Sequence, residues 1–419
     1  MSTVAEKTLS QKIKGTVTPG DIVEVPIDFT SGHEFSLPPA IDEFERINVD
    51  TVFDPDSVAV IPDHLTPSPN QRAITLYNRC KEFAMKHNTL FYPQGTQSQE
   101  HVHIPEEGLI TPGDVMLAAD SHSCTHGAIG VFGSGVGSTD MAYAMAFGEL
   151  WLQVPDTVRF EFVGDPETWV SGKDLILAAI GRVGISGALN KAVEYGGPVV
   201  GDLPMDERFT MANMTIEMGG VTGFVDPDRR TRKYVDRRTD AEYQLHSPDP
   251  DADYALTYTI DCDDLEPQVA KPHQVSNVAS LSELQDPEVQ VDQAVIGSCT
   301  NGREADLRTA AKVLSGNTVD ADVRLIITPG SQRLERLCIE EGLTETFLEA
   351  GATMENPGCG ACFGMRTGAL GPGEVAVSTT NRNVRGRMGH RSSEVYLASP
   401  AVAAASAVTG RLTHPSEVA

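Results

Sequence analysis

Three cysteines in two glycine-rich loops are the residues of this chain best suited to metal chemistry. Cys299 lies in Gly-Ser-Cys-Thr-Asn-Gly (297–302), and Cys359 and Cys362 lie in Asn-Pro-Gly-Cys-Gly-Ala-Cys-Phe-Gly (356–364). Glycine leaves room for backbone to approach a bulky inorganic core. Structural zinc sites and most iron–sulfur clusters take four protein ligands. Three thiolates on a [4Fe-4S] cube would leave one iron open, which is what a Lewis-acid catalyst needs. Buried structural cysteines, a zinc site and a redox Cys-x-x-Cys pair are the competing readings of the same residues. Cys80, Cys124, Cys262 and Cys338 stand outside these loops.

The loops resemble those of the aconitase superfamily, in the branch of the 3-isopropylmalate dehydratase and homoaconitase large subunits. Three further segments carry the likeness in the expected order: Leu117 to Thr125 around Asp-Ser-His, Gly133 to Ala142, and Asn381-Arg382-Asn383-Val384-Arg385-Gly386-Arg387. Tyr396-Leu397-Ala398-Ser399-Pro400 then leads into an alanine-rich end.

The resemblance implies one [4Fe-4S] cluster held by Cys299, Cys359 and Cys362, with a labile iron that no cysteine ligates. It implies that Arg382 and Arg387, with Asn381 and Asn190, bind a small hydroxy-diacid. Guanidinium suits that task because it grips carboxylate with two parallel charge-assisted hydrogen bonds. Asp63, His64, His101, Asp120, His122 and Glu194 match the family's acid–base groups. A carboxylate beside an imidazole fixes its tautomer and raises its pKa, making it a proton donor for departing hydroxide. His103 competes with His101 for its assignment.

The implied activity is that of a hydro-lyase isomerising 2-isopropylmalate to 3-isopropylmalate by dehydration and rehydration, in leucine biosynthesis. Homoaconitase and other small-diacid hydratases, such as one acting on dimethylmaleate, would use the same residues. The family also has a swivelling fourth domain with a catalytic serine, and no matching motif precedes Ala419, so a separate small subunit is the expected partner. An iron-responsive RNA-binding protein is a reading from another class.

Such residues need rigid elements behind them. Val58 to Ile61, Val115 to Ala119, Val158 to Val163, Gln293 to Ile296 and Arg324 to Thr328 read as short β-branched or apolar strands, and Asp21 to Ile27 alternates as one. Thr8 to Lys14 and Ser68 to His87 read as helices. Strands alternating with helices predict parallel sheets, with polar loops at strand carboxyl ends carrying the chemistry. The fold class expected is α/β, with three α/β/α domains converging on one cluster: 1–153, 154–253 and 254–419. The boundaries follow the new strand set after Pro155 and the acidic, proline-bearing stretch Ser247 to Asp253.

Composition agrees with an enzyme. A chain of 419 residues exceeds one ordinary core. Seven cysteines are no disulfide framework. No apolar run suits a membrane span or signal peptide, so a cytoplasmic protein with no membrane partner is expected. A net charge of −27 repels phosphate backbones, which argues against nucleic acid. Gly130 to Gly137 lacks the Gly-x-Gly-x-x-Gly order of a dinucleotide loop.

Overall fold

The computed structural model describes residues 1–96, 98–284 and 289–419. The chain forms two compact units that do not follow chain order: residues 1–162, 188–201 and 211–259 make the first, and 163–187, 202–210 and 260–419 the second.

The first unit is built on a five-stranded sheet in the order Leu90–Phe91, Val58–Val60, Phe29–Gly32, Val115–Ala118, Phe132–Gly135. Every pairing in it is parallel. Helices cover it, so its inner strands are buried on both faces and read as continuous small or apolar runs rather than alternating ones. Helix Gln71–His87 begins where the Asn70 side chain accepts from the Ala73 amide at 3.0 Å, and ends at Asn88 in the left-handed region. It packs Phe83 against Phe44 of helix Leu37–Ile47. A second sheet orders Thr222–Val225, Ala192–Gly196, Thr157–Val163 and Leu256–Asp261, the first three parallel. Ile22–Pro26 pairs with Glu149–Gln153 as an antiparallel ribbon.

The second unit holds a seven-stranded mixed sheet. Its order is Val278–Ser280, Gln268–Ala270, Glu394–Leu397, Val375–Ser378, Gln293–Gly297, Arg324–Thr328, Thr353–Met354. From Glu394–Leu397 to Thr353–Met354 the neighbours run parallel, so their carboxyl ends share one edge. The two strands at the other end are antiparallel additions. Among the described residues no helix is long and apolar enough to cross a membrane.

The sequence-based elements fall close to these. The first helix starts earlier than expected, at Val4, because Thr3 and Glu6 form a reciprocal capping box. Strand Phe29–Gly32 was not expected, since Phe-Thr-Ser-Gly carries little apolar character although every residue of it is buried.

Candidate active site

Four parallel strands of the first unit each deliver a polar group from the loop or helix after their carboxyl ends, the position where open α/β sheets place ligand chemistry. Phe29–Gly32 leads to His33 and Glu34, Val58–Val60 to Asp63 and His64, Leu90–Phe91 to His101, and Val115–Ala118 to Asp120 and His122. Asp120 is the hub. Its Oδ1 lies 2.8 Å from His101 Nε2 and accepts from the His122 amide at 2.8 Å. Its Oδ2 lies 3.3 Å from His33 Nε2 and 3.8 Å from His64 Nε2. Burial would raise the pKa of this carboxyl, but the surrounding imidazoles, His101 foremost, hold it well below the ordinary range.

His64 is the ring best held as a cation. Burial opposes its charge, yet the Asp63 carboxylate hydrogen-bonded to Nδ1 outweighs that and lifts the pKa to about 9. The rings of His33 and His64 stack at 3.6 Å between centroids. Glu34 fixes the loop from below: its carboxylate accepts from the amides of Asp63 at 3.0 Å, His64 at 3.4 Å and Leu65, and from the Thr66 hydroxyl at 3.1 Å. Burial shifts His101 the other way, toward its neutral form, against the pull of Asp120. His33, Asp63 and His64 each present one ligand atom within 4.8 Å of the others, a geometry that could also grip a cation.

His122 sits between two acids. Its Nε2 lies 3.0 Å from Glu217 Oε1 and its Nδ1 3.4 Å from Asp120 Oδ1. Glu217 belongs to the 3₁₀ turn Met214–Met218, and Asn213 just before it donates to Thr125 Oγ1 at 2.8 Å. The glycines at 133 and 135 are explained by the same loop: a Cβ at Gly133 would collide with the Ser123 carbonyl, and one at Gly135 with the Asp120 carbonyl.

Two expected site residues are not brought to this group. Glu194 lies inside strand Ala192–Gly196, fully buried, accepting from the Val4 amide at 2.6 Å and the Tyr254 hydroxyl at 2.7 Å, with Arg159 3.7 Å away. Asn190 is exposed in a left-handed turn, its amide bonded to the Gly219 carbonyl. Glu217, which meets His122, was missed together with His33 and Glu34. For His33-Glu34 the available signal was a His-Glu pair at the end of a short run, obscured because that strand was not expected. His103 is separated from His101 by its packing: it lies edge-on to Tyr92, and burial drives its pKa down to about 4.

The second unit carries the thiols. Cys299 follows strand Gln293–Gly297, and Cys359 and Cys362 follow Thr353–Met354. All three are buried, and none of the chain's cysteines forms a disulfide. Gly297 has φ +140°, and a Cβ there would run into the Thr328 carbonyl; a Cβ at Gly360 would meet the Thr328 hydroxyl. Asn381 Nδ2 donates to Cys299 Sγ at 3.3 Å, and its Oδ1 stands 3.7 Å from Cys362 Sγ. Arg387 reaches Cys362 Sγ at 3.3 Å and its carbonyl at 3.1 Å, while Arg303 holds the Cys299 carbonyl at 2.8 Å. Arg382 is half-buried on the same segment as Asn381 and Arg387. Three buried soft sulfurs, with N–H donors aimed at two of them and side-chain-free backbone around them, fit an iron–sulfur cluster.

A model of the aconitase family (aconitate hydratase) matches residues 6–410. The chain belongs to the aconitase family. It is 47% identical over 417 residues to the 3-isopropylmalate dehydratase large subunit of Caldanaerobacter subterraneus subsp. tengcongensis, covering 99% of each chain. To the protein of that name from Halothermothrix orenii it is 48% identical over 418 residues, covering 99% of this chain and 98% of that one. To 3-isopropylmalate dehydratase large subunit 1 of Pyrococcus furiosus it is also 48% identical over 418 residues, with 99% of each covered. Among solved structures, holo-form aconitase X of Thermococcus kodakaraensis gives a TM-score of 0.51 over 90% of this chain and 92% of that one. At 12% identity it speaks for the fold alone. Family membership makes the chain a hydro-lyase of α/β fold and brings with it an iron–sulfur cluster.

Proposed function

We propose that this chain is the large subunit of a two-chain hydro-lyase that interconverts 2- and 3-isopropylmalate. The observation that carries the reading is the near-complete match, at 46–48% identity, to relatives named as that large subunit. The residues match what the reaction requires. Dehydrating a hydroxy-diacid needs help for a poor leaving group and a positioned proton for it.

Cys299, Cys359 and Cys362 would hold a [4Fe-4S] cluster whose fourth iron has no cysteine. When bound, the cluster supplies a Lewis acid for the substrate hydroxyl. His64 supplies the proton. Asp63 keeps it charged, and its Nε2 lies on the side of Asp120, 3.8 Å from Oδ2. His122 is held between Asp120 and Glu217 so that it can pass a proton at Nδ1 or Nε2. Arg382 and Arg387 meet the carboxylates, and Arg387 additionally lends a donor to Cys362. Asn381 serves the sulfurs rather than the substrate. Glu194 and Asn190 have structural roles, in the sheet and in a turn.

The small subunit supplies the remaining catalytic groups on a swivelling domain. A cluster with an open iron needs a reducing compartment, which supports a cytoplasmic location. Anaerobic reconstitution with iron and sulfide should give about four of each per chain, and mild oxidation should yield a three-iron signal that ferrous iron reverses. Stoichiometric zinc without sulfide would refute the cluster assignment.

A further inference from the structure

Among the described residues, the buried ammonium of Lys173 hydrogen-bonds to backbone carbonyls and to no carboxylate. It opens helix Gly172–Val183 with none of its surface exposed. Its Nζ donates to the Thr379 carbonyl at 2.8 Å and the Thr380 carbonyl at 2.6 Å. The nearest acids are engaged elsewhere. Asp174 accepts from the Ser171 amide and hydroxyl and from the Gln268 amide, and Asp306 accepts from Asn301 and from the Arg303 amide. A buried charge satisfied by carbonyl dipoles is costly, and burial, outweighing the pull of Asp174, Asp306 and two of the thiols, lowers this amine's pKa to about 7.

The two carbonyls explain its placement. Thr379 bridges to Gly297, two residues before Cys299: its hydroxyl accepts from the Gly297 amide at 3.0 Å and donates to the Gly297 carbonyl at 3.2 Å. Thr380 is followed by Asn381, whose amide lies on the sulfurs of Cys299 and Cys362. One ammonium therefore pins the strand end from which both sulfur-contacting segments leave. The same two thiols pull electrostatically on it.

We infer that Lys173 is a positioning residue for the cluster, acting as its buried counter-cation, so that it holds the labile iron and raises the cluster's reduction potential. Three thiolates around a [4Fe-4S]²⁺ core carry a net negative charge, and outer-shell charge and hydrogen bonding set both potential and metal affinity. This rests on the assignment of the cluster to the three cysteines.

The test uses the full-length chain, reconstituted anaerobically, as wild type, Lys173→Gln and Lys173→Arg. Glutamine keeps donors for the two carbonyls and removes the charge; arginine keeps the charge. Iron release to a ferrous chelator under argon should be about tenfold or more faster in Lys173→Gln, and the midpoint potential followed by EPR should move to more negative values. Lys173→Arg should stay close to wild type in both. Wild-type release and potential in a folded Lys173→Gln protein would overturn the counter-cation role and leave a carbonyl clamp. If Lys173→Gln does not fold, Lys173→Arg decides: a folded arginine variant that loses iron tenfold faster contradicts a role carried by charge, and one that retains it supports that role. Wild type that takes up no sulfide would fail instead at the cluster assignment, a distinguishable result.

Discussion

Asp120 shows how a single residue organises the acid–base group. One carboxylate faces four imidazoles and is kept ionised by them, so protons are partitioned among rings with different surroundings. The partition predicts a pH profile. His64 is protonated below about pH 9, so kcat/KM should fall as pH rises through that value. In Asp63→Asn the charge that lifts His64 is gone, and burial then favours the neutral ring, so the alkaline limb should move down toward neutrality. An unmoved limb would mean that another group supplies the proton. His122→Asn removes a ring held between two acids, and turnover should fall roughly 100-fold or more, with cluster content unchanged. Near wild-type turnover would make His122 a structural histidine. The residue scale is also where sequence reading was least complete. Asp63, His64, His101, Asp120 and His122 were legible through the resemblance of their motifs to those of the aconitase superfamily. Glu217 does not, because its partner is 95 residues away and the segment Met214–Met218 reads only as a mixed turn. Glu194 was expected from the resemblance alone, and its partners in the strand are an amide, a tyrosine and an arginine.

At the scale of elements, short parallel strands act as fixed posts, and glycines allow loops to cross them closely. The strands at Val115–Ala118, Gln293–Gly297 and Arg324–Thr328 were legible because β-branched and apolar residues run without polar interruption. Phe29–Gly32 was not, since its burial comes from neighbouring strands rather than from its own side chains. Gly297 offers a direct test of the posts. Alanine there would adopt φ +140° and meet the Thr328 carbonyl. Backbone strain alone costs about 1–3 kcal/mol, and the collision adds to it. Gly297→Ala should lower the thermal midpoint and lose most of its sulfide. Gly316→Ala, at φ +76° with nothing within 4 Å of the new methyl, should keep its sulfide and lose only the strain. Equal sulfide retention in the two variants would show that the close crossing at Gly297 does not shape the thiol loops.

For the molecule as a whole, the division of labour is by unit: His64, His101, His122 and their acids belong to the first, and Cys299, Cys359, Cys362, Arg382 and Arg387 to the second. The two units interleave in sequence, the second drawing in residues 163–187 and 202–210, which composition alone gives no hint of. The chain carries a net charge of −27, while a diacid needs cations, which Arg382 and Arg387 of the second unit supply in the proposed reading. With its cluster and a small subunit, this chain is proposed to turn over isopropylmalate. The direct measurement is anaerobic conversion of 2-isopropylmalate to 3-isopropylmalate by the reconstituted chain, alone and mixed with its small subunit, with homocitrate as the competing substrate. Conversion is expected only when both chains are present, with preference for isopropylmalate. Full turnover by the isolated chain, or none by the pair with the cluster intact, would contradict it.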